Sequence, residues 1–177
     1  MNEIKTTQNP TQKFTELTAL YEISRTSMSS LDLNKVCSSI LEVLAAKLGM
    51  KRGTLTLVDP FTNELAIEVA HGLTEEEMKR GRYKLGEGVT GTVAKTGEPM
   101  IIPNIGEEPL FANKTKSRGD VKRASISFLC VPVKIEDKVV GVLSVDRLFG
   151  DQVRFTEDIE FLTIIANSTV APLVKLH

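Results

Sequence analysis

Two long apolar runs constrain the fold of this chain more than any other feature. Segment Ser127–Ile135 contains Phe-Leu-Cys-Val-Pro-Val, and segment Lys138–Arg147 contains Val-Val-Gly-Val-Leu-Ser-Val. Only Glu136 and Asp137 lie between them, so the pattern predicts a β-hairpin that turns at these two residues. Strands with so few polar positions are covered on both faces. We therefore expect a central sheet with helices packed on its two sides.

Three amphipathic helices are predicted at the two ends of the chain. Apolar residues fall at helical spacing over 12–29 and again over 33–48, where Asp32 is a suitable N-cap and Gly49 a suitable C-terminal cap. A last helix is predicted from Thr156, as its N-cap, to Leu176. Its apolar stripe continues past Pro172, so the helix is expected to run to the end of the chain.

The middle of the chain alternates short strands and short helices. A β-hairpin is predicted at 54–69, a capped acidic helix at 74–79, a strand at 82–85, a helix at 89–95 and a strand at 100–102. Hairpins favour antiparallel pairing, so the predicted class is α+β, with a mostly antiparallel sheet and helices packed against it. We expect one domain over 12–177, preceded by a polar, disordered N-terminus at 1–11.

Composition excludes several functions. The 177 residues carry a net charge of −1, without the excess of Lys and Arg that a nucleic-acid surface needs. Two cysteines are too few for a disulfide framework, and their spacing fits no zinc motif. No signal peptide and no apolar run of about 20 residues is evident. The expectation is a cytoplasmic protein without metal or cofactor that contacts neither membrane nor nucleic acid.

The chain resembles a GAF domain over nearly its whole length. Gly86-Glu87-Gly88-Val89-Thr90-Gly91, followed by Thr96-Gly97-Glu98-Pro99, is similar to a characteristic segment of that family, and the two apolar runs resemble its central strands. The resemblance implies a profilin-like sheet of about six strands, with the first two helices and the last helix packed together on one side. It also implies a regulatory domain rather than an enzyme.

Two segments, Ser-Phe-Leu-Cys-Val-Pro-Val-Lys and Leu-Ser-Val-Asp-Arg, resemble one subgroup of that family more than the family in general. The subgroup is the N-terminal regulatory domain of NifA-type sigma-54-dependent transcription activators of nitrogen fixation. That resemblance implies a downstream AAA+ ATPase domain and a DNA-binding domain, neither of which is in this chain. It further implies a sensor that acts on the ATPase through its terminal helices, with 2-oxoglutarate or another metabolite as a candidate ligand and a regulatory protein as a further partner.

Other readings of the motifs are weaker. The glycine spacing at 86–91 matches a dinucleotide fingerprint, but the preceding Arg-Tyr-Lys strand is short and charged, so we interpret the glycines as backbone turns before a helix. Of the residues typical of cyclic-nucleotide-binding GAF domains, Phe155 and Glu160 match and the others do not. A GAF-fold methionine sulfoxide reductase needs several neighbouring cysteines, which Cys37 and Cys130 do not supply.

A ligand site is predicted under the polar segment 103–125. The segment carries five cations against three carboxylates, which suits a carboxylate or phosphate ligand. Arg123 directly precedes the apolar strand and is chosen as the cation that points inward. The predicted ligand-binding residues are Tyr83, Thr90, Phe111, Arg123, Ser127, Phe128 and Cys130.

A homodimer is expected because one sheet is not expected to cover both terminal helices. The predicted interface consists of Phe14, Leu17, Tyr21, Ile165 and Leu173. Arg147 is expected to form a surface ion pair with Asp158 or Glu157. An alternative function is a protein–protein interaction and dimerisation module whose pocket is vestigial.

Overall fold

The computed structural model describes residues 9–118, 126–148 and 154–177, and it forms one six-stranded antiparallel sheet. The strand order is β3-β2-β1-β6-β5-β4. The strands are β1 (Arg52–Val58), β2 (Glu64–His71), β3 (Arg82–Lys84), β4 (Met100–Ile102), β5 (Ile126–Ile135) and β6 (Lys138–Leu148). The α+β class and the strand number predicted from the sequence are confirmed.

Helices precede, interrupt and follow the strands. They are α1 (Pro10–Ser29), α2 (Leu33–Leu48), α3 (Glu75–Arg80), α4 (Gly88–Thr96), α5 (Phe155–Ile165) and α6 (Ala171–Leu176), with a 3₁₀ turn at Ile105–Glu107 and a π-helical segment at Ala166–Val170. Asp32 accepts a hydrogen bond from Lys35 N at the start of α2, and Gly49 ends that helix at φ 68°. Thr74 and Glu77 form the predicted capping box of α3.

The predicted central hairpin is the best-paired part of the sheet. Strands β5 and β6 stay in register from Ile126 opposite Leu148 to Ile135 opposite Lys138, with one irregularity between Val133 and Lys134. The turn falls at Glu136 and Asp137, where Glu136 has φ 56°. This hairpin is covered on both faces, as its continuous apolar pattern requires.

The core has two layers on opposite faces of the sheet. On one face, buried residues of α2, α5 and α6 pack on the sheet, and α1 packs on α2. On the other face, α4 covers a smaller cluster that includes Val89, Phe128, Cys130 and Val142. The first two helices and the last helix therefore share one side, as predicted, which leaves the α4 face for the site described below.

The ends of two helices differ from the sequence prediction. Helix α1 already begins at Pro10, because Asn9 caps it by accepting a hydrogen bond from Thr11 N; the predicted disorder of 1–11 is thus wrong for 9–11, and residues 1–8 lie outside the described part. Thr156 is not the N-cap of α5. The helix begins at Phe155, whose ring packs on the core, and Arg154 occupies the cap position.

The C-terminal helical run, Phe155–Leu176, is long and apolar enough to cross a membrane by length and composition alone. Its inward positions, among them Leu162, Ile165 and Val170, are packed in the core of the domain. The apolar composition of the run is therefore accounted for by burial against the sheet.

Candidate ligand-binding site

A small cavity lies on the α4 face of the sheet, below the segment 111–118. Its floor is formed by side chains of five strands, its wall by α4 and its roof by the segment itself. The volume is about 20 Å³, enough for about one water molecule. The lining residues are Thr54, Ile67, Tyr83, Val89, Thr90, Phe111, Ala112, Asn113, Thr115, Arg118, Phe128 and Ser144.

The side chain of Arg118 lines this space. Its Nε and Nη2 atoms each donate to a different carboxylate oxygen of Asp146 at 2.7 Å, a two-pronged ion pair. The guanidinium carbon lies 5.0 Å from the ring centre of Phe111 and 5.5 Å from that of Phe128. Only 8% of the Arg118 side chain and 5% of the Asp146 side chain are exposed. The roof is thus held down by a buried ion pair stacked on aromatic rings.

Asp146 has a second cation within reach. Arg52 Nη1 lies 3.7 Å from Asp146 Oδ2, and the Arg52 side chain is about one third exposed. The two residues are opposite each other in the β1–β6 pairing. If Arg118 pairs with another anion, Asp146 therefore keeps Arg52 as a cationic neighbour. This lowers the free-energy cost of replacing Asp146 as the partner of Arg118.

Three further contacts fasten the roof to the domain. Arg80, the last residue of α3, donates from Nε and Nη2 to the carbonyl oxygen of Thr115 at 3.0 and 2.7 Å. Lys114 forms an ion pair with Glu87, and a hydrogen bond from Lys114 is the main cause of the lowered pKa of Glu87. Lys114 also lies over the ring of Tyr83.

One polar atom in the cavity lacks a partner. Asn113 Oδ1 is buried and accepts no hydrogen bond in the described structure, and Asn113 adopts φ 45°, in the left-handed region. A buried acceptor without a donor costs roughly 1–3 kcal/mol. A water molecule or a ligand N–H or O–H group in the cavity would satisfy it.

The structure brings four of the seven predicted ligand-binding residues into this cavity: Tyr83, Thr90, Phe111 and Phe128. Ser127 does not line it, because its hydroxyl is buried and donates to the Pro103 carbonyl oxygen at 2.7 Å. Cys130 is completely buried one layer deeper, where desolvation raises the pKa of its thiol. Arg123 lies outside the described residues.

Sequence reasoning missed the ion pair at the centre of the site. Arg118 was one of five similar cations in the segment, and nothing in the local sequence distinguishes it. Asp146 did carry a usable signal, since it is a carboxylate at the end of an apolar strand. A buried carboxylate is rarely left without a cation.

The structure separates the predicted interface residues into two groups. Phe14, Leu17 and Tyr21 are 70%, 64% and 63% exposed on the outer side of α1. Ile165 and Leu173 are 1% and 4% exposed because they pack in the core, so this part of the interface prediction is wrong. Ile164 and Leu176, which are 54% and 67% exposed, are large apolar residues of the last helical run that face outward.

The two thiols are far from forming a catalytic pair. Cys37 belongs to the core layer under α2, whereas Cys130 belongs to the layer under α4, on the other face of the sheet. Burial raises the pKa of both thiols, to about 12 for Cys37. Within 9–118, 126–148 and 154–177, His, Cys, Asp and Glu side chains form no group of three or more that could hold a metal ion.

A single antiparallel sheet with three helices on one face and a roofed cavity on the other defines a GAF-type fold. The chain belongs to the GAF domain family, whose model matches residues 32–171. The solved nlh2 GAF domain of A. aeolicus, in an inactive state, has a TM-score of 0.80 and 26% identity over 93% of this chain and 98% of that one.

Among curated proteins, the chain is similar to the Nif-specific regulatory protein of Azospirillum brasilense, with 42% identity over 92% of this chain. It is also similar to the nitrogen fixation protein VnfA of Azotobacter vinelandii, with 36% identity over 91%. It covers only 26% and 31% of those proteins, respectively. The chain is therefore a GAF domain closely related to the N-terminal GAF domains of nitrogen-fixation regulators.

A free methionine-R-sulfoxide reductase of Neisseria meningitidis shares the fold, with a TM-score of 0.76 over 99% of this chain and 96% of that one. The identity is only 18%, so this likeness concerns the fold alone. The sequence relatives at 36–42% identity are regulators.

Proposed function

We propose that this chain is the cytoplasmic sensory domain of a NifA-type sigma-54-dependent activator, and that a small anionic ligand binds at Arg118 and controls a downstream AAA+ ATPase. The observation that carries the proposal is the buried guanidinium of Arg118 in a roofed cavity, paired to a carboxylate of the same chain. Ligand binding exchanges the Asp146 carboxylate for a ligand carboxylate or phosphate.

The chemistry of the cavity favours a compact anion with a further polar group. Phe111 and Phe128 shield the guanidinium from water, which strengthens a charge-assisted hydrogen bond. Asn113 Oδ1 is available to a donor on the ligand or on an accompanying water. A dicarboxylate such as 2-oxoglutarate is the first candidate, although it requires the roof to rise because the closed cavity is only about 20 Å³.

Arg147, which follows Asp146 on β6, connects the cavity to the terminal helices. Arg147 points to the opposite face, where its Nη1 donates to the Leu48 carbonyl oxygen at the end of α2. The same atom lies 3.0 Å from Asp158 Oδ2 in the first turn of α5. A displacement of Asp146 on ligand binding would therefore move a contact shared by α2 and α5, which supplies the differential interaction that regulation requires.

Isothermal titration and thermal-shift measurements with 2-oxoglutarate, other dicarboxylates, amino acids and nucleotides test this proposal. A ligand at 100 times its Kd raises the free energy of unfolding by about 2.7 kcal/mol. Arg118→Met should abolish the effect, whereas Lys47→Met, which removes the α1–α2 ion pair with Glu22, should leave it unchanged. The proposal fails if no anion stabilises the wild-type domain or if the Arg118 variant responds equally.

A protein–protein interaction module with a vestigial pocket remains the second candidate. The observation that favours it is the small size of the cavity, about 20 Å³, whose cation Arg118 is already paired with Asp146 of the same chain. In that case a partner protein would shift the melting curve and no metabolite would.

Under either proposal the domain forms a homodimer through the exposed side of α1, since Phe14, Leu17 and Tyr21 follow helical spacing.

A further inference from the structure

A second, larger cleft lies at the opposite end of the strands from Asp146. Its volume is about 710 Å³, within the range of sites that bind small molecules. It opens where the β1–β2 hairpin and the β5–β6 hairpin end. None of its lining residues belongs to the Arg118 cavity.

The strand pairing explains why the cleft exists. Pairing between β1 and β6 ends at Leu57 opposite Gly141, although β1 continues to Val58 and β6 begins at Lys138. The two hairpins therefore separate beyond this pair. Lys138 and Val139 of β6 are paired with β5 but not with β1, and Val140 is skipped at the irregularity of the β5–β6 pairing, so the gap exposes apolar side chains of both hairpins.

The gap has an apolar interior and a cationic rim. Its apolar walls include Leu57, Val58, Leu85, Val139, Val140 and Val174. Lys95, Lys134, Lys138 and His177 lie around the opening, and among the described side chains that line the cleft Asp137 supplies the one carboxylate. This combination is complementary to a molecule that is apolar along most of its length and anionic at one end.

We propose that this cleft binds an amphipathic anion, an alkyl or acyl chain with one anionic head group, independently of the Arg118 site. The chain lies between the separated hairpins and the head group lies among Lys95, Lys134 and Lys138. The occupant contacts the C-terminal helix directly, because Val174 and His177 line the cleft. Strand β5 is tied to the same helical run where Lys134 N donates to Asn167 Oδ1 at 3.1 Å.

The cleft also shares a helix with the Arg118 cavity. Helix α4 contributes Val89 and Thr90 to the cavity and Ala94, Lys95 and Thr96 to the cleft. A molecule in the cleft therefore contacts the C-terminal helix on one side and, on the other side, α4, which forms the wall of the Arg118 cavity.

Titration of the 177-residue domain with decanoate, below its micellar concentration, tests the assignment. Decanoate should bind saturably and at least tenfold more tightly than 1-decanol or decylammonium, which have the same chain without the anionic head. Shortening the chain should weaken binding roughly fourfold for each methylene removed. Vesicles of anionic phospholipid should not bind, because α4 and the C-terminal helix enclose the cleft at its two sides.

Substitutions in the two sites show whether decanoate binds in the cleft or in the Arg118 cavity. Charge reversal in Lys95→Glu/Lys138→Glu should lower the affinity for decanoate at least tenfold and change the affinity for 1-decanol less than twofold. The control Lys35→Glu, at an exposed lysine of α2, should change neither affinity. Arg118→Met should leave decanoate binding intact. Equal affinity for decanoate and 1-decanol, or no effect of the double reversal, overturns the proposal. Loss of binding in Arg118→Met would assign decanoate to the other site, and would likewise overturn it.

Discussion

Arg147 Nη1 lies 3.0 Å from Asp158 Oδ2, and this contact joins the end of β6 to the first turn of α5. The pair was predicted as a surface contact, but only 17% and 6% of the two side chains are exposed. Asp158 Oδ2 accepts no well-directed hydrogen bond, and the hydrogen bond that Arg147 Nη1 donates goes to the Leu48 carbonyl oxygen. The Asp158 carboxylate is therefore removed from water, and its protein contacts do not fully replace the lost hydration.

The first prediction concerns the pH dependence of stability. Burial raises the pKa of Asp158 to about 6, and Arg147 only partly opposes this shift. In the unfolded chain the carboxyl group has its ordinary pKa of 3.8, so between about pH 4 and 6 the folded state binds more protons. The contribution of Asp158 to stability should therefore decrease as pH rises through this interval, by roughly 3 kcal/mol in total.

Chemical denaturation of the wild-type domain and Asp158→Asn at several pH values measures this term. The difference in unfolding free energy between the two proteins should change between pH 4 and 7 and then become constant, with the wild type relatively more stable at the acidic end. Glu157→Gln is the matched control, since the pKa of Glu157 is lowered by its hydrogen bond from Arg154. A pH-independent difference for Asp158→Asn would contradict the prediction.

The second prediction concerns the closure of the roof. Arg118→Met should lower the free energy of unfolding by about 3 kcal/mol, the low end for breaking a buried pair, because Arg52 still neighbours Asp146. Amide hydrogen exchange in 111–118 should accelerate. Lys47→Met removes a half-exposed pair with Glu22 and should cost less than about 1 kcal/mol. Similar costs for the two variants would show that the Arg118 pair does not hold the roof.

The third prediction concerns the glycine motif. Gly86 N donates to the Gly91 carbonyl oxygen at 2.7 Å, and a Cβ at Gly91 would overlap the carbonyl oxygen of Lys84. Gly91→Ala should therefore destabilise the domain by about 2–3 kcal/mol in denaturant titrations. Gly49→Ala, at φ 68° but in open space, should cost only about 1 kcal/mol. Equal effects would mean that the close approach at Gly91 is easily relaxed.

The fourth prediction concerns self-association. Leu17→Glu/Tyr21→Glu should convert a dimer of about twice 19.5 kDa into a monomer in sedimentation velocity, because charges cannot be buried between two apolar helix faces. Leu110→Glu, at a half-exposed leucine outside α1, should leave the mass unchanged. A wild-type chain that is monomeric at 100 micromolar, a concentration on the order of usual assays, would exclude this interface.

Periodicity and turn chemistry predicted the helices, the six strands and the β5–β6 hairpin, because these depend on residues close in the chain. Tyr83, Thr90, Phe111 and Phe128 line one cavity on the α4 face, the side on which the family resemblance predicted a ligand, and their role in ligand binding stays a prediction. Ile165 was assigned to the wrong side of its helix, and its neighbour Ile164 faces outward instead. One position on a helix turns a side chain by about 100°, and a stripe with apolar residues at both positions does not distinguish them.

What the sequence by itself determined is the class of domain, through local patterns and the glycine and hairpin segments. Which cation meets Asp146 was decided only by the tertiary structure, because Arg118 and Asp146 are 28 residues apart and become neighbours when the roof folds over β6. The cleft between the hairpins was likewise invisible, since it arises where pairing of β1 with β6 stops, and no residue type marks that point. Both features depend on contacts between segments that are distant in the chain, which local patterns do not specify.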